Sequence, residues 1–141
     1  MSDINLVSKK VVTIRFNEVD SMGIVWHGSY VKYFEDGREA FGKEFNIGYL
    51  DIFASGFYAP LVCLDFNYKK PLIYGDEITV ITKYINTEAA KIMFEYEIVN
   101  NKTNEIVTTG KSTQVFLDKN YQLILYSPEF YVNWKKNHHL L

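Results

Sequence analysis

The fold class that this sequence predicts is α+β: one long helix laid against an antiparallel sheet. Three observations carry that expectation. Four or five separate stretches alternate in the strand period, and one helical stripe runs from Tyr30 to Phe45. The later strands are joined by connections too short for crossover helices.

Each element has its own warrant. Val12, Ile14 and Phe16 share one face against Thr13 and Arg15, which predicts a strand over 11–16. Tyr30, Phe34, Gly37, Phe41 and Phe45 then recur at steps of three and four, the stripe of a helix buried along one side. The helix is expected to begin near His27–Ser29 with Ser29 as N-cap, and to stop at Asn46 or Gly48. Gly37 and Gly42 inside it each cost about 1 kcal/mol relative to Ala, so a neighbouring layer is expected to approach closely there. A weaker helical segment over 47–57 is broken by Gly56 and Pro60.

The rest reads as strands. Val62, Leu64, Phe66 and Tyr68 alternate, and 71–76 supplies a turn containing Pro71 and Gly75. The stretch 77–86 carries Ile, Val, Thr and Tyr on both faces, as a central strand covered on both sides would. Lys91–Asn100 sets Ile92, Phe94, Tyr96 and Ile98 opposite Glu95 and Glu97. Asn100, Asn101 and Asn104 make a turn into a long strand over 105–117, with a bulge expected at Gly110. A short strand follows over 121–125. Ser127 as N-cap, Pro128 and Glu129 then open a last helix ending near Asn137.

With 141 residues and 48% hydrophobic content, the chain is expected to form one domain over 1–141 with a sizeable core, rich in its 11 Tyr and 10 Phe. Fifteen basic against 17 acidic residues give a net charge of −2, which offers no field for a polyanion and argues against nucleic acid as partner. Cys63 is the only cysteine, so no intramolecular disulfide forms, and its neighbours Val62 and Leu64 predict a buried thiol. No metal site or cofactor is expected; His138 and His139 have no third ligand nearby in sequence. No run of about 18 apolar residues and no signal-like N-terminus is present, so the expectation is a cytoplasmic protein without a membrane span.

The chemistry is expected at the junction between the first strand and the long helix. The first turn of a helix has backbone N–H groups without internal partners, and the aligned peptide dipoles add partial positive charge there. Asp20 lies just ahead of that start, and Gly23, free of a Cβ, lets the loop fold back toward it. An oxyanion can use such N–H groups, and a carboxylate beside them is a reaction-site layout. Glu18, Glu35 and Asp36 read as solvated or paired, with Glu35 and Arg38 at helical pair spacing.

The run Asp20-Ser-Met-Gly23-Ile-Val-Trp26-His27-Gly-Ser-Tyr30 resembles the signature of the hotdog-fold thioesterases, of the 4-hydroxybenzoyl-CoA thioesterase type and the related bacterial short-chain acyl-CoA thioesterases. Tyr33, Glu35 and Arg38 look like that family's helix pattern, and Pro71-Leu-Ile-Tyr-Gly-Asp-Glu-Ile like the turn before its third strand. The resemblance implies a curved antiparallel sheet of about five strands wrapped around the helix. It further implies protomers pairing their sheets side by side as a homodimer or homotetramer, and acyl-thioester hydrolysis at the interface. Carried over residue by residue, Asp20 is the catalytic carboxylate, as nucleophile or as base for water, and His27 polarises the thioester carbonyl through its N–H. Gly23, Trp26, Gly28, Tyr30 and Lys91 fall at substrate-binding positions.

The chain departs from that pattern in two places. His27 stands where the hydroxybenzoyl type has Tyr, as in the short-chain relatives, and the basic cluster expected to meet CoA phosphates is here Ala89-Ala90-Lys91, with only Lys91 charged. Lys69 and Lys70 read as a solvated strand end. The expected activity is therefore hydrolysis of an acyl-CoA to a free acid and CoA. An acyl-ACP (acyl carrier protein) substrate and a non-catalytic acyl-binding hotdog module are the alternatives. A hotdog dehydratase ranks below them, since it needs a His and acid pair around a hydroxyacyl β-carbon.

Overall fold

The computed structural model describes residues 5–141. Five long strands form its sheet: β1 (Val7–Thr13), β3 (Leu61–Tyr68), β4 (Glu77–Ile85), β5 (Lys91–Asn100) and β6 (Glu105–Asp118). Two short strands, β2 (Phe57–Tyr58) and β7 (Leu123–Ile124), pair with the end of β6. Between β1 and β2 come the long helix α1 (Tyr30–Phe45) and the short α2 (Tyr49–Ala54); α3 (Glu129–Asn137) closes the chain. Every pairing is antiparallel, and the long strands run in the order β1-β4-β5-β6-β3. Among the described residues no helix is long and apolar enough to cross a membrane.

Helix α1 crosses the inner face of this sheet. Phe34 meets the rings of Phe66 and Tyr96 with centroids 5.4 and 4.9 Å apart, and Phe41 meets Phe94 at 4.9 Å. The two helix glycines have the packing reason expected of them. A Cβ at Gly37 would lie 2.5 Å from Oγ1 of Thr82 and 2.6 Å from Cγ1 of Val80, and one at Gly42 would lie 2.6 Å from Cα of Gly48. Asn46 ends the helix in the left-handed conformation, at φ 60°.

Several expectations need correction. Strand β1 begins earlier than 11 and stops at Thr13, and Phe16 is 76% exposed, because the chain turns into a short 3-10 segment at Phe16–Glu18. The second helical segment shrinks to Tyr49–Ala54. Strand β4 is central, but only Ile78, Val80, Thr82 and Tyr84 are buried while the opposite face is half-buried. The bulge in β6 falls between the pairs Ile98–Thr108 and Val99–Ile106, so Val107 is the extra residue. Gly110 pairs regularly; its missing side chain makes room for Phe34, whose ring carbon Cζ would sit 2.9 Å from a Cβ there. Pro128, not Ser127, occupies the N-cap of α3. Cys63 is exposed, since among the described residues β3 pairs only with β6, and Leu61 and Val62 near it are exposed as well.

Candidate active site

The 14–29 segment leaves β1 and folds back as a narrow hairpin against the turn ahead of β4. Ile14 N–H donates to Asp76 O at 2.8 Å, and Val25 N–H to Leu72 O at 2.8 Å. Val19 bridges Val25, and Ile24 bridges Ile73, so the loop closes on itself as its glycine suggested. At the head of the hairpin, Asp20 N–H donates to Ile24 O at 2.8 Å and Gly23 N–H to Asp20 O at 3.0 Å. Gly23 sits at φ 78°, where a side chain is strained.

The Asp20 side chain is half-buried and does two things at once. Its Oδ1 accepts the N–H of Met22 at 2.8 Å and of Ile24 at 3.3 Å, holding the turn. Among the described residues Oδ2 accepts nothing. One oxygen is thereby fixed, and the other has no partner among the described residues.

Beyond the hairpin the chain enters a 3-10 turn at His27–Ser29 that runs into α1. Trp26 N–H donates to Glu18 O and Ser29 N–H to Trp26 O, both at 2.9 Å. The N–H groups of His27 and Gly28 lie between these bonds and have no acceptor among the described residues. Ser29 occupies the N-cap of α1 as expected but makes no side-chain cap bond; its hydroxyl donates to Glu18 O at 3.1 Å. The Trp26 ring is 53% exposed, lies 4.9 Å from the His27 ring and folds over Gly28, where a Cβ would strike it at 2.1 Å. Tyr30 is buried with its ring edge-on to Tyr68, whose hydroxyl donates to the His27 carbonyl at 2.9 Å.

Glu18 was expected to be solvated or paired; it is paired, and 2% exposed. Its Oε1 accepts the Arg15 N–H at 2.8 Å and the Tyr33 hydroxyl at 3.0 Å, and its Oε2 accepts Arg15 Nε at 2.7 Å. Burial pushes its carboxyl up, but the bonds from Arg15 and Tyr33 outweigh burial and hold it below its ordinary value. Burial pushes the Tyr33 phenol far up, so it remains a neutral donor. Asp36 lies 3.6 Å from Arg15 Nη2 with its own Oδ2 buried and unbonded, and burial raises its carboxyl. The sequence hinted at Glu18 only through its place between Arg15 and Asp20.

The structure thus brings Asp20, Gly23, Trp26, His27, Gly28 and Tyr30 to one end of the molecule. It does not bring Lys91 there within one protomer. Lys91 begins β5, whereas the hairpin packs beside the other end of that strand, about 30 Å away at ~3.3 Å per residue. Lys70 at the end of β3 pairs with Glu105. A cleft of about 670 Å³ lies near the Lys91 end, between the C-terminal half of α1, α2, β2 and the sheet; Arg38, Ile52, Phe94 and Gln114 are among its walls. No group of three or more His, Cys, Asp or Glu among the described residues is placed to hold a metal ion.

A helix on an antiparallel sheet, with an acid-bearing loop at the helix start, agrees with what the family comparison finds. The model of the thioesterase-like superfamily matches residues 14–134, and the chain belongs to that superfamily. Its fold is the hotdog fold and its chemistry is thioester hydrolysis.

Among relatives, the Bacillus subtilis protein named "Putative acyl-CoA thioesterase YneP" is 35% identical over 80% of this chain and 81% of its own length. The chloroplastic acyl-acyl carrier protein thioesterase ATL3 of Arabidopsis thaliana is 30% identical over 86% of this chain, which spans 63% of that protein. Among solved structures, the DHNA-CoA thioesterase of Staphylococcus aureus superposes with a TM-score of 0.82 at 28% identity, covering 95% of this chain and 92% of that one.

Proposed function

We propose that this protein is an acyl-CoA thioesterase, releasing a free carboxylic acid and CoA, with Asp20 as its catalytic carboxylate and the His27 N–H as the carbonyl-polarising donor. The observation that carries the reading is the hairpin itself. It fixes one oxygen of Asp20 on two main-chain N–H groups, leaves the other without a partner, and leads directly into the open N–H groups of His27 and Gly28.

Asp20 either adds to the thioester carbon, giving an anhydride that water then cleaves, or takes a proton from a water that adds in its place. On both routes negative charge develops on the carbonyl oxygen, where the N–H groups meet it. The carbon–sulfur bond breaks and the sulfur leaves as the thiolate, which takes up a proton. A placed donor of this kind is worth roughly 3–4 kcal/mol, against under about 1 kcal/mol for an exposed helix dipole. Donor geometry matters more than the dipole.

The site is completed by a second copy of the chain in the same reading. Strand β3 has one open edge, and its Tyr68 end lies at the hairpin while its Leu61 end lies by the cleft. Antiparallel pairing of two such edges about a twofold axis sets the Tyr68 end of one protomer against the Leu61 end of the other. Asp20 then faces the partner's cleft, which supplies room for the acyl group. The names of the B. subtilis and S. aureus proteins support a CoA thioester as the substrate class.

The test is thiol release from a panel of acyl-CoA and acyl-ACP thioesters by the wild type and by Asp20→Asn. The variant is expected to lose roughly 10²- to 10⁴-fold in kcat while unfolding at the wild-type temperature. Unchanged turnover in the variant refutes the assignment of Asp20, and flat traces across the whole panel would favour an acyl-binding module.

A further inference from the structure

We propose that Glu18 is a positioning residue for the reaction, setting the direction of the His27 and Gly28 N–H groups through its own main-chain carbonyl. This rests on the reading of those N–H groups as the carbonyl-polarising donors. The start of α1 needs such a device. Trp26, at the N-cap of the 3-10 turn, makes no side-chain cap bond, and neither does Ser29 at the head of α1. The turn is three residues long and is closed by only two i→i+3 bonds, Ser29 N–H to Trp26 O and Tyr30 N–H to His27 O.

The Glu18 carbonyl takes the place of a cap. It accepts the N–H of Trp26 at 2.9 Å and the hydroxyl of Ser29 at 3.1 Å, the two residues that bracket the open pair. The peptides that carry the open N–H groups are also held, at the Trp26 carbonyl by Ser29 N–H and at the His27 carbonyl by Tyr30 N–H and the Tyr68 hydroxyl. The Glu18 carbonyl ties this turn to the hairpin from both flanks.

The side chain in turn fixes the Glu18 peptide. Its carboxylate is anchored on the strand side by the Arg15 N–H and guanidinium and on the helix side by the Tyr33 hydroxyl, one turn inside α1. Strand exit, helix and loop return are joined at one residue. Asp20 follows it by two positions, so the same anchor also bears on the carboxylate end of the hairpin.

The test compares Glu18→Gln, Tyr33→Phe and Asp20→Asn with the wild type, measuring kcat and KM for an acyl-CoA turned over by the wild type, and amide hydrogen exchange at Trp26. Complete loss of an oxyanion donor costs roughly 10²- to 10³-fold in kcat, which sets the ceiling. Glu18→Gln keeps the shape of the side chain but presents an NH2 group where Oε2 accepts from Arg15. It is expected to lower kcat roughly tenfold or more with KM within about twofold, and to speed exchange of the Trp26 amide. Tyr33→Phe removes only a hydroxyl and carries the same test where Glu18→Gln does not fold; its expected loss in kcat is about threefold.

Asp20→Asn separates the two claims. If it is inactive while Glu18→Gln and Tyr33→Phe turn over as the wild type does, the positioning role is overturned and the site stands. If Asp20→Asn itself keeps full turnover, the site assignment falls first.

Discussion

At its C-terminal end α1 is covered by the chain's own aromatic side chains. Phe41 lies against Phe45 and Phe94, and the Trp134 indole N–H of α3 donates to the Phe45 carbonyl at 2.7 Å. At its N-terminal end, Met22, Trp26, Tyr68, Ile73 and Tyr74 are exposed, and the His27 and Gly28 N–H groups have no acceptor among the described residues. The difference shows a division of labour along one helix. One face of its far half is packed and holds the fold while the other side of that half walls the cleft; its near end leaves N–H donors unpaired among the described residues and apolar side chains exposed.

The packed end is where the largest stability effect is expected. Phe41 is fully buried between helix and sheet, and truncating a buried Phe costs about 3–5 kcal/mol in lost transfer energy and cavity. Phe41→Ala should therefore lower the midpoint of denaturant unfolding severely. The molecules that remain folded should keep far more turnover than Asp20→Asn, since Phe41 reaches the cleft only through Phe94. A loss of turnover as large as that of Asp20→Asn, at a temperature where the variant is fully folded, would erase the division between the two ends.

The proposed pairing of two copies, which would bring the hairpin of one to the cleft of the other, is tested at the edge of β3. Val62 is 58% exposed on a strand with one free edge, and a charge there disfavours edge-to-edge pairing. Val62→Glu is expected to halve the mass seen in solution scattering and to lower kcat/KM at least about tenfold. Its cost to the protomer's own stability should stay within about 0.5 kcal/mol, as at other exposed positions. A variant that is active as a monomer would show that the hairpin completes its site without a partner.

How much of this was legible in the sequence follows the same division. The helix stripe Tyr30, Phe34, Gly37 and Phe41 and the alternation Ile92, Phe94, Tyr96 and Ile98 landed on buried faces, because long periodic elements are set by which face meets the core. The hairpin around Asp20 was legible through Gly23 and the order of residue types. Phe16 and Cys63 were misplaced because local apolar neighbours do not reveal that a strand ends or lies at an edge. Glu18 was underrated: a carboxylate between Arg15 and Asp20 looks like surface charge until Tyr33 is brought to it from another element. Lys91 matched a family position but stands at the far end of its own protomer, and no pattern within one chain encodes which subunit a residue serves.

The effect at the anchor between the two ends depends on pH, and it has a sign. The Glu18 carboxyl is held below its ordinary value in the folded protein, so the unfolded chain takes up a proton more readily than the folded one as the pH falls. Its contribution is then present above the unfolded value of about 4.3 and fades as the pH drops through the depressed folded value. Asp36 has the opposite sign, because burial raises its carboxyl and protonation relieves the folded state. Comparing the wild type with Glu18→Gln isolates the Glu18 part. Near neutral pH the variant should be about 2 kcal/mol less stable, the scale of a hydrogen bond to a charged group, and the gap should narrow below roughly pH 4. A gap that stays constant down to acid would mean that the two acceptor oxygens of Glu18, not its charge, hold the hairpin. The anchor would then belong with the packed end of the helix.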